Sequence, residues 1–251
     1  MSGKLEGKVA VVTGGSSGIG LAIARVFVAE GAHVFITGRR ATELEKAAEE
    51  IGRNVTPVQG DVAELEDLDQ LYDVVRRDKG RVDVVVANAA VGGLAPEGAA
   101  ASPEHFDRVF SVNTRGVFFT VQKAVGLLSD GAAIVLVASN AHYLGIPGFA
   151  PYSASKAAVR SFARTWAAEF SGRGIRVNTL SPGPIDTPIY DTSGLTPEES
   201  DEFLKGVIST VPLRRMGRPE EMATAALFLA SSDSGFITGT DLVADGGMTQ
   251  I

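Results

Sequence analysis

The feature that most constrains the fold of this chain is a regular alternation of short apolar runs with longer amphipathic stretches. The short runs are rich in Val and Ile and stay apolar on successive residues, which is typical of strands buried on both faces. They cover residues 8–13, 33–37, 55–59, 82–87, 133–138, 176–180 and 242–244.

The stretches between these runs carry apolar residues at helical spacing. They cover residues 18–30, 42–51, 65–77, 106–128, 152–170 and 220–230. Strands that alternate with helices are joined by right-handed crossovers and form a mostly parallel sheet with helices on both faces. The sequence therefore predicts a single α/β domain over residues 1–251, built as a doubly wound parallel sheet of about seven strands.

One segment, residues 189–212, interrupts this rhythm with Pro, Gly, Thr and Ser and contains a short helical pattern at 197–208. In doubly wound sheets, ligands bind beyond the carboxyl ends of the strands. We therefore interpret 189–212 as a mobile substrate-binding flap over a cleft at that edge.

Charge and cysteine content exclude several classes of function. The formal net charge of −7 argues against a nucleic-acid partner, because such binding depends on clustered Lys and Arg. The chain has no cysteine, and its three histidines show no metal-ligand spacing, so we expect no metal site. Because it also lacks an apolar run of about 20 residues and a signal-peptide pattern, we expect a cytoplasmic protein with no membrane partner.

The first predicted strand runs into the glycine-rich turn Gly14-Gly15-Ser16-Ser17-Gly18-Ile19-Gly20 and then into a helix. Glycines allow a tight turn and close backbone approach, so that N–H groups at the helix N-terminus can bind a pyrophosphate. The spacing G-x-x-x-G-x-G differs from the usual G-x-G-x-x-G. Taken alone, the turn is also compatible with a tight strand-to-helix corner that binds nothing.

The residues after the second strand bear on the choice of cofactor. An NAD site usually places an acid there to bind the adenosine ribose, whereas this chain has Gly38 followed by Arg39 and Arg40. A guanidinium binds a 2′-phosphate well, so the sequence favours NADP(H) and leaves NAD(H) open. The alternative is a solvated helix start, although a helix N-terminus disfavours cations.

Two further groups of candidate cofactor contacts follow the third and fourth strands. Asp61 is placed to accept a hydrogen bond from the adenine amino group with the Val62 backbone beside it, although an Asp after a strand is more often a helix cap. Asn88, Ala89 and Ala90 end the fourth strand with side chains small enough to let a cofactor lie against the backbone.

A tyrosine and a lysine are the main candidates for chemistry. The run Tyr152-Ser153-Ala154-Ser155-Lys156 opens a predicted helix, where a spacing of four places Tyr152 and Lys156 on one face. A cation about 4 Å from a phenol, at an effective dielectric of about 20, contributes roughly 4 kcal/mol, or about three pKa units. We therefore predict that Lys156 lowers the pKa of Tyr152 towards neutrality and lets Tyr152 exchange a proton with an alcohol or alkoxide.

Two polar residues give this pair a context. Ser139 ends the fifth strand at the cleft edge, where its hydroxyl can hydrogen-bond a substrate carbonyl. Asn113 lies inside the predicted helix 106–128, where an uncapped Asn lowers helix propensity. We therefore expect Asn113 to be placed there for something other than local preference.

These residues together resemble the short-chain dehydrogenase/reductase family over residues 5–248. The matching motifs are Thr13-Gly14-x-x-x-Gly18-x-Gly20, Asp61-Val62, Asn88-Ala89-Ala90, Asn113, Ser139, Tyr152-x-x-x-Lys156, Asn178 followed by Pro182-Gly183, and Thr238-Gly239 before Asp245-Gly246-Gly247. The resemblance implies a Rossmann-type fold and a catalytic tetrad of Asn113, Ser139, Tyr152 and Lys156. It also implies that Lys156 holds the nicotinamide ribose and that Asn113 supports a water-linked proton relay.

The resemblance extends the list of expected cofactor contacts to the segment after the sixth strand, where Ile185 and Thr187 face the carboxamide and phosphate side. Expected contacts are Gly14, Ser16, Ser17, Gly18, Ile19, Gly20, Arg39, Asp61, Val62, Asn88, Ala89, Ala90, Tyr152, Lys156, Pro182, Gly183, Ile185 and Thr187. Two positions depart from the family pattern: Ala90 replaces a glycine, and Ser16-Ser17 replace the basic residue that some NADP-preferring relatives carry in the turn. The NADP preference therefore depends on Arg39, with Ser16 as a helper.

The remaining expectations concern substrate and assembly. Residues expected to contact substrate are Ser139, Ala141, His142, Tyr143, Phe149, Tyr152 and Ile189. The loop 141–150 and the segment 189–212 are mostly apolar near the site, and no arginine clamp for a carboxylate is evident. The expected small-molecule substrate is therefore a neutral ketone or secondary alcohol, or a 3-oxoacyl group. By resemblance, a homotetramer forms through the two long helices and the C-terminal strands. The alternative function is a regulatory protein that senses NADP(H) without turnover.

Overall fold

The computed structural model describes residues 3–92, 101–188 and 196–251. Within them, seven parallel strands form one sheet in the order β3-β2-β1-β4-β5-β6-β7. The strands are β1 Val9–Thr13, β2 His33–Gly38, β3 Val55–Gln59, β4 Val82–Ala87, β5 Leu128–Val137, β6 Arg176–Pro182 and β7 Asp241–Ala244. After β3 the chain returns to the centre and adds β4 beside β1, so the strand order reverses between β1 and β4, which is where such sheets bind ligands.

Helices cover both faces of this sheet. They are α1 Gly18–Ala29, α2 Ala41–Ile51, α3 Leu65–Asp78, α4 Pro103–Phe110, α5 Val117–Ala124, α6 Ala150–Glu169, α7 Pro197–Thr210 and α8 Pro219–Ala230. One buried apolar cluster joins the sheet to α3, α5 and α6, and a second joins it to α1, α2 and α8. The predicted doubly wound parallel fold is therefore confirmed.

The predicted helix 106–128 is wrong in two respects. It is divided by a π-helical turn, Ser111–Gly116, between α4 and α5, and it ends at Ala124. Leu128 instead begins β5, where it pairs with Val82 across a register irregularity. Apolar periodicity cannot distinguish the end of a buried helix from the start of a buried strand, so this boundary depended on tertiary pairing.

The segment 189–212 is described only from residue 196 onwards. The short helix expected at 197–208 is present as α7, and a reciprocal capping box between Thr196 and Glu199 fixes its start. Residues 189–195, with the predicted substrate contact Ile189, lie outside the described residues. No helix in the described parts of the chain is long and apolar enough to cross a membrane.

Candidate active site

The glycine-rich turn after β1 is packed so closely that side chains would not fit. A Cβ on Gly20 would lie 2.1 Å from the Gly14 carbonyl oxygen, and Gly14 itself adopts a φ of +66°. Ser17 occupies the N-cap position of α1, but its side chain makes no capping hydrogen bond. The first turn of α1 contains no acidic residue. The N–H groups of this helix start are therefore free of an internal carboxylate, which suits an anionic pyrophosphate.

Asn88 fastens this turn to the end of β4. Its Nδ2 donates to the Thr13 carbonyl oxygen at 2.9 Å, and the Thr13 hydroxyl accepts from the backbone N–H groups of Asn88 and Ala89 at 3.0 and 3.1 Å. A Cβ on Gly14 would meet the Ala89 Cα at 2.9 Å. The structure thus brings Asn88 and Ala89 against the glycine-rich turn at the switch point of the sheet.

The segment after β6 forms the other wall of the cleft. Gly183 packs so closely on Asp245 that a Cβ there would lie 2.7 Å from the Asp245 Cα, and Ile185 is buried. A Cβ on Gly18 would lie 3.1 Å from the Thr187 methyl carbon. The predicted contacts after β6 and those of the glycine-rich turn therefore lie next to each other, and these two segments are the ones that would hold a dinucleotide.

Arg39 and Asp61 lie together at the outer end of this cleft. Nη1 of Arg39 is 3.8 Å from the Asp61 carboxylate, and the Arg39 side chain remains 63% exposed. A Cβ on Gly38 would lie 3.0 Å from the Ser16 hydroxyl, so a larger residue there would crowd Ser16. Asp61 also accepts from the Ala63 N–H at 3.0 Å, which is a local turn contact, but it does not cap α3, because the N-cap residue of that helix is Glu64.

Ser139 and Tyr152 come together although thirteen residues separate them in the chain. Ser139 opens a short 3₁₀ turn at the end of β5, where its hydroxyl accepts from the Ala141 N–H at 3.2 Å. Tyr152 lies in the first turn of α6, in which Pro151 is the second residue, and its phenol lies close enough to the Ser139 hydroxyl to be influenced by it. The two hydroxyls therefore present a single polar site to a substrate oxygen.

Lys156 lies one turn further along α6 and is almost completely buried, at 1% exposure. Its Nζ donates to the Val137 carbonyl oxygen at 3.0 Å and lies 5.7 Å from the centroid of the Tyr152 ring. Burial lowers the pKa of Lys156 to about 8. The predicted placement of tyrosine and lysine on one face of the helix is confirmed.

The prediction that the pKa of Tyr152 is lowered is wrong. Burial raises the pKa of Tyr152, and the Ser139 hydroxyl opposes this increase only in part. Since Nζ of Lys156 lies against Val137 rather than on the phenol oxygen, burial outweighs its attraction. Tyr152 is therefore a protonated phenol at neutral pH, which is the form that donates a proton.

Asn113 occupies the π-helical turn and is fully buried. Its side chain accepts from the Val91 N–H at 2.9 Å and donates to the Val91 carbonyl oxygen at 3.2 Å. Its Nδ2 also lies 3.4 Å from the Ser155 hydroxyl, which donates to the Tyr152 carbonyl oxygen at 2.7 Å. Asn113 thus links the segment after β4 to the first turn of α6, and a π-turn is a frequent device at functional sites.

Sequence reasoning did not single out Ser155, which completes this link. The available signal was its place inside the Tyr152-to-Lys156 turn, on the inner face of α6, where a fully buried hydroxyl requires a partner.

The predicted substrate contacts have different environments. Ala141 is buried beside Ser139, and the rings of Phe149 and Tyr152 pack edge-on with centroids 5.9 Å apart. His142 and Tyr143 both approach the carboxylate of Asp241 in β7, at 3.2 and 2.8 Å. A role for His142 and Tyr143 in binding substrate stays a prediction.

The chain is similar over nearly its whole length to known proteins. A family model described as enoyl-(acyl carrier protein) reductase matches residues 14–249. The chain is 44% identical over 250 residues to "Oxidoreductase asL5" of Sarocladium schorii, covering 99% of this chain and 98% of that protein. It is 38% identical over 256 residues to the "NADP-dependent (R)-specific alcohol dehydrogenase" of Lentilactobacillus kefiri, covering 99% of both. A solved structure called "short chain dehydrogenase/reductase family protein" is 41% identical, has a TM-score of 0.86, and overlaps 99% of this chain and 100% of its own.

Proposed function

The chain belongs to the short-chain dehydrogenase/reductase family of oxidoreductases, and from that premise we propose that it transfers a hydride between NADP(H) and a carbonyl or secondary alcohol, with Tyr152 as general acid and base. The observation that carries the proposal is the meeting of Ser139, Tyr152 and Lys156 at the carboxyl edge of the sheet. A protein that only binds a dinucleotide has no need of such a proton-donating pair.

In the reducing direction, bound NADPH supplies the hydride to the carbonyl carbon. The Ser139 hydroxyl hydrogen-bonds the carbonyl oxygen and holds it beside the phenol. Tyr152 then gives its proton to that oxygen as negative charge develops there, and the product is the alcohol. Because burial keeps Tyr152 protonated, its phenol can donate a proton to the carbonyl oxygen in the reducing direction.

Lys156 supplies positive charge to the same centre. When Tyr152 has given up its proton, the ammonium 5.7 Å from the ring stabilises the phenolate until a proton returns. In our proposal, the return path runs past Asn113, whose side chain is already bonded to the segment after β4 and lies near Ser155 on α6.

The residues of the cleft fit a dinucleotide, and we assign its phosphate end to Arg39. The uncapped start of α1 would hold the pyrophosphate, and Asp61 and Val62 would border the adenine. The exposed guanidinium of Arg39 would bind a 2′-phosphate, with the Ser16 hydroxyl beside Gly38 as a second donor. The NADP-dependent relative from Lentilactobacillus kefiri supports this choice of cofactor.

The proposed substrate is a neutral ketone or a 3-oxoacyl group. The mostly apolar loop between Ser139 and Tyr152 and a relative named 3-oxoacyl-(acyl-carrier-protein) reductase, 38% identical over 250 residues, support it. The test is an NADPH-oxidation screen over ketones, 3-oxoacyl thioesters, sugars and steroids, with NADH in parallel. Turnover of at least one ketone or thioester supports the proposal, and no turnover on the whole panel contradicts it.

Arg39→Leu tests the cofactor assignment. We expect kcat/KM with NADPH to fall by about 10- to 150-fold, because a charge-assisted hydrogen bond contributes about 1.5–3 kcal/mol. We expect kcat/KM with NADH to stay unchanged, since NADH has no 2′-phosphate. Arg40→Leu is the matched control, because Arg40 is the exposed neighbour at the start of α2. An equal loss with both cofactors, or a wild type that prefers NADH, would show that the assignment of Arg39 is wrong.

We also propose that the protein is a homotetramer that uses the outer face of α5 and α6. A hollow of about 500 Å³ on this face is lined by Phe110, Phe118, Phe119 and Phe162 with Arg115 at its edge. Exposed aromatic surface of this kind marks interfaces between chains. Light scattering after size-exclusion chromatography is expected to give four times the 26.1 kDa chain mass, and a monomer would contradict the proposal.

A further inference from the structure

The carboxylate of Asp241 in β7 is buried at the centre of a polar cluster. Its side chain is 4% exposed, and it accepts hydrogen bonds from the Ser181 hydroxyl at 2.7 Å and the Tyr143 hydroxyl at 2.8 Å. Burial alone would raise the pKa of Asp241, but the nearby His142 ring and the hydrogen bonds from Ser181 and Tyr143 hold that pKa at about 2. Asp241 is therefore a buried negative charge at neutral pH.

The residues around Asp241 come from three separate segments that also carry the proposed active site. His142 and Tyr143 are three and four residues after Ser139, in the turn after β5, and Ser181 immediately precedes Pro182 at the end of β6. Arg160, whose Nε is 3.9 Å from the carboxylate, lies one helical turn beyond Lys156 on α6. We call His142, Tyr143, Arg160, Ser181 and Asp241 the Asp241 cluster.

This arrangement makes one charge the common anchor of three functional segments. The segment with Ser139 is attached through Tyr143, the helix with Tyr152 is attracted through Arg160, and the cofactor wall is attached through Ser181. A buried carboxylate is costly unless hydrogen bonds and counter-charges compensate it, so these segments are held where compensation is possible. We expect that loss of the negative charge on Asp241 weakens the attachment of all three segments.

Some buried polar atoms of the Asp241 cluster lack a well-aligned hydrogen-bond partner among the described residues. Nη1 of Arg160 and both ring nitrogens of His142 are buried without a well-aligned hydrogen-bond partner among the described residues, although His142 Nε2 is 3.2 Å from the carboxylate. Hydrogen bonds around an active site are often poorly aligned before substrate binds and improve in the complex.

We propose that Asp241 is a positioning residue, whose carboxylate fixes the Ser139 turn against the Tyr152 helix and the wall after β6 so that the two hydroxyls meet the substrate oxygen together. The inference rests on the proposed function, since it assigns Asp241 a part in that reaction. It acts through its neighbours, because the carboxylate itself bonds Tyr143 and Ser181 rather than Ser139 or Tyr152.

Asp241→Asn tests the proposal because it keeps the size of the side chain, removes the charge and replaces one acceptor oxygen by an N–H donor, so that one of the hydrogen bonds from Ser181 and Tyr143 is also lost. We expect kcat for the best ketone to fall about tenfold, since small displacements of reacting groups cost this much or more. The Kd for NADPH, followed by its fluorescence, is expected to rise by a smaller factor than kcat falls, because, of the two segments that would hold the dinucleotide, Asp241 anchors only the wall after β6, and the glycine-rich turn is not part of the Asp241 cluster. Tyr143→Phe removes a single hydrogen bond from an exposed ring and is expected to lower kcat less, in the same direction.

Asp83→Asn is the matched control at the opposite, amino end of the sheet. Asp83 is equally buried, accepts from the Val9 N–H at 2.9 Å and pairs with Lys8 and Arg81. We expect this variant to lose stability and keep kcat. If Asp241→Asn keeps kcat within about twofold of an active wild type, or if Asp83→Asn lowers kcat equally, the inference is wrong while the proposed function stands.

Amide hydrogen exchange tests the positioning role of Asp241 without a measurement of turnover. Mass spectrometry of the ligand-free variants is expected to show faster amide exchange at residues 139–149 in Asp241→Asn than in the wild type, and unchanged exchange there in Asp83→Asn. Unchanged exchange in Asp241→Asn would overturn the positioning role. A wild type that reduces no carbonyl would overturn the proposed function instead, so the two failures are distinguishable.

Discussion

Tyr152→Phe is expected to lower kcat for carbonyl reduction by about 10²- to 10⁴-fold, the range that general acid catalysis contributes. The substitution removes the hydroxyl that donates the proton and keeps the aromatic ring, so the edge-on packing against Phe149 is preserved. The cleft that would hold the dinucleotide is formed mainly by the glycine-rich turn and the segment after β6. We therefore expect the Kd for NADPH to change little while turnover is lost.

Tyr72→Phe provides the control for a lost phenol. Tyr72 is buried in the core on α3, where its hydroxyl donates to the Thr120 carbonyl oxygen at 2.6 Å. This variant is expected to lose about 1–3 kcal/mol of stability, because a buried acceptor loses its partner, and to keep its kcat. A Tyr152→Phe enzyme with near wild-type kcat would show that the proton comes from another group. A wild type without turnover that binds NADPH would favour the regulatory sensor.

Lys156→Met is expected to lower kcat by about 10²-fold. A unit charge 5.7 Å from the Tyr152 ring, at an effective dielectric of about 20, stabilises a phenolate by about 3 kcal/mol. Methionine fills a similar volume without the charge, so the effect on kcat reports the electrostatic contribution. Lys123→Met is the control, because Lys123 lies on α5 and pairs with Asp69 away from the site. An unchanged kcat in Lys156→Met would remove lysine from the mechanism.

The same substitution has a second consequence, for the pH dependence of stability. The folded-state pKa of Lys156, about 8, lies below the ordinary 10.5 because of burial. Between these values the unfolded chain binds more protons than the folded protein, so this lysine makes the free energy of unfolding rise with pH by about 3 kcal/mol in total. Below about pH 8 the lysine is charged in both states and adds no slope.

Urea denaturation of wild type and Lys156→Met at a series of pH values from 8 to 10.5 measures this difference. The free energy of unfolding of the wild type, minus that of the variant, is expected to increase across this window. A constant difference would mean that Lys156 titrates at its ordinary pKa in the folded protein. Subtraction of the variant removes the contributions of the other titrating groups, which both proteins share.

Much of the site was predictable because it depends on local rules. The order of strands and helices follows from apolar periodicity, and the spacing of Tyr152 and Lys156 on a helix places both on one face whatever surrounds them. Asn113 is instructive in a different way. Its unsuitability for a helix interior was visible in the sequence, but the π-turn that accommodates it and its bonds to Val91 required the packed structure.

The pKa of Tyr152 and the surroundings of Asp241 could not be predicted from local rules. Spacing alone suggested that Lys156 lies close enough to Tyr152 to lower its pKa, whereas the folded protein directs the ammonium to Val137 and raises that pKa through burial. Similarly, nothing in the chain order indicates that His142, Arg160 and Ser181 surround Asp241. Desolvation and long-range contacts depend on which elements pack together, and a linear pattern does not contain that information.

The sequence by itself determined the α/β alternation, the glycine-rich turn at the end of β1 and the residues available for proton transfer, because backbone periodicity and side-chain chemistry are local properties. The tertiary structure alone decided where the helix 106–128 is interrupted, which hydroxyl meets the Tyr152 phenol and which charges are buried. The physical reason is that hydrogen-bond partners and desolvation arise from residues distant in the chain, and folding decides which of them become neighbours.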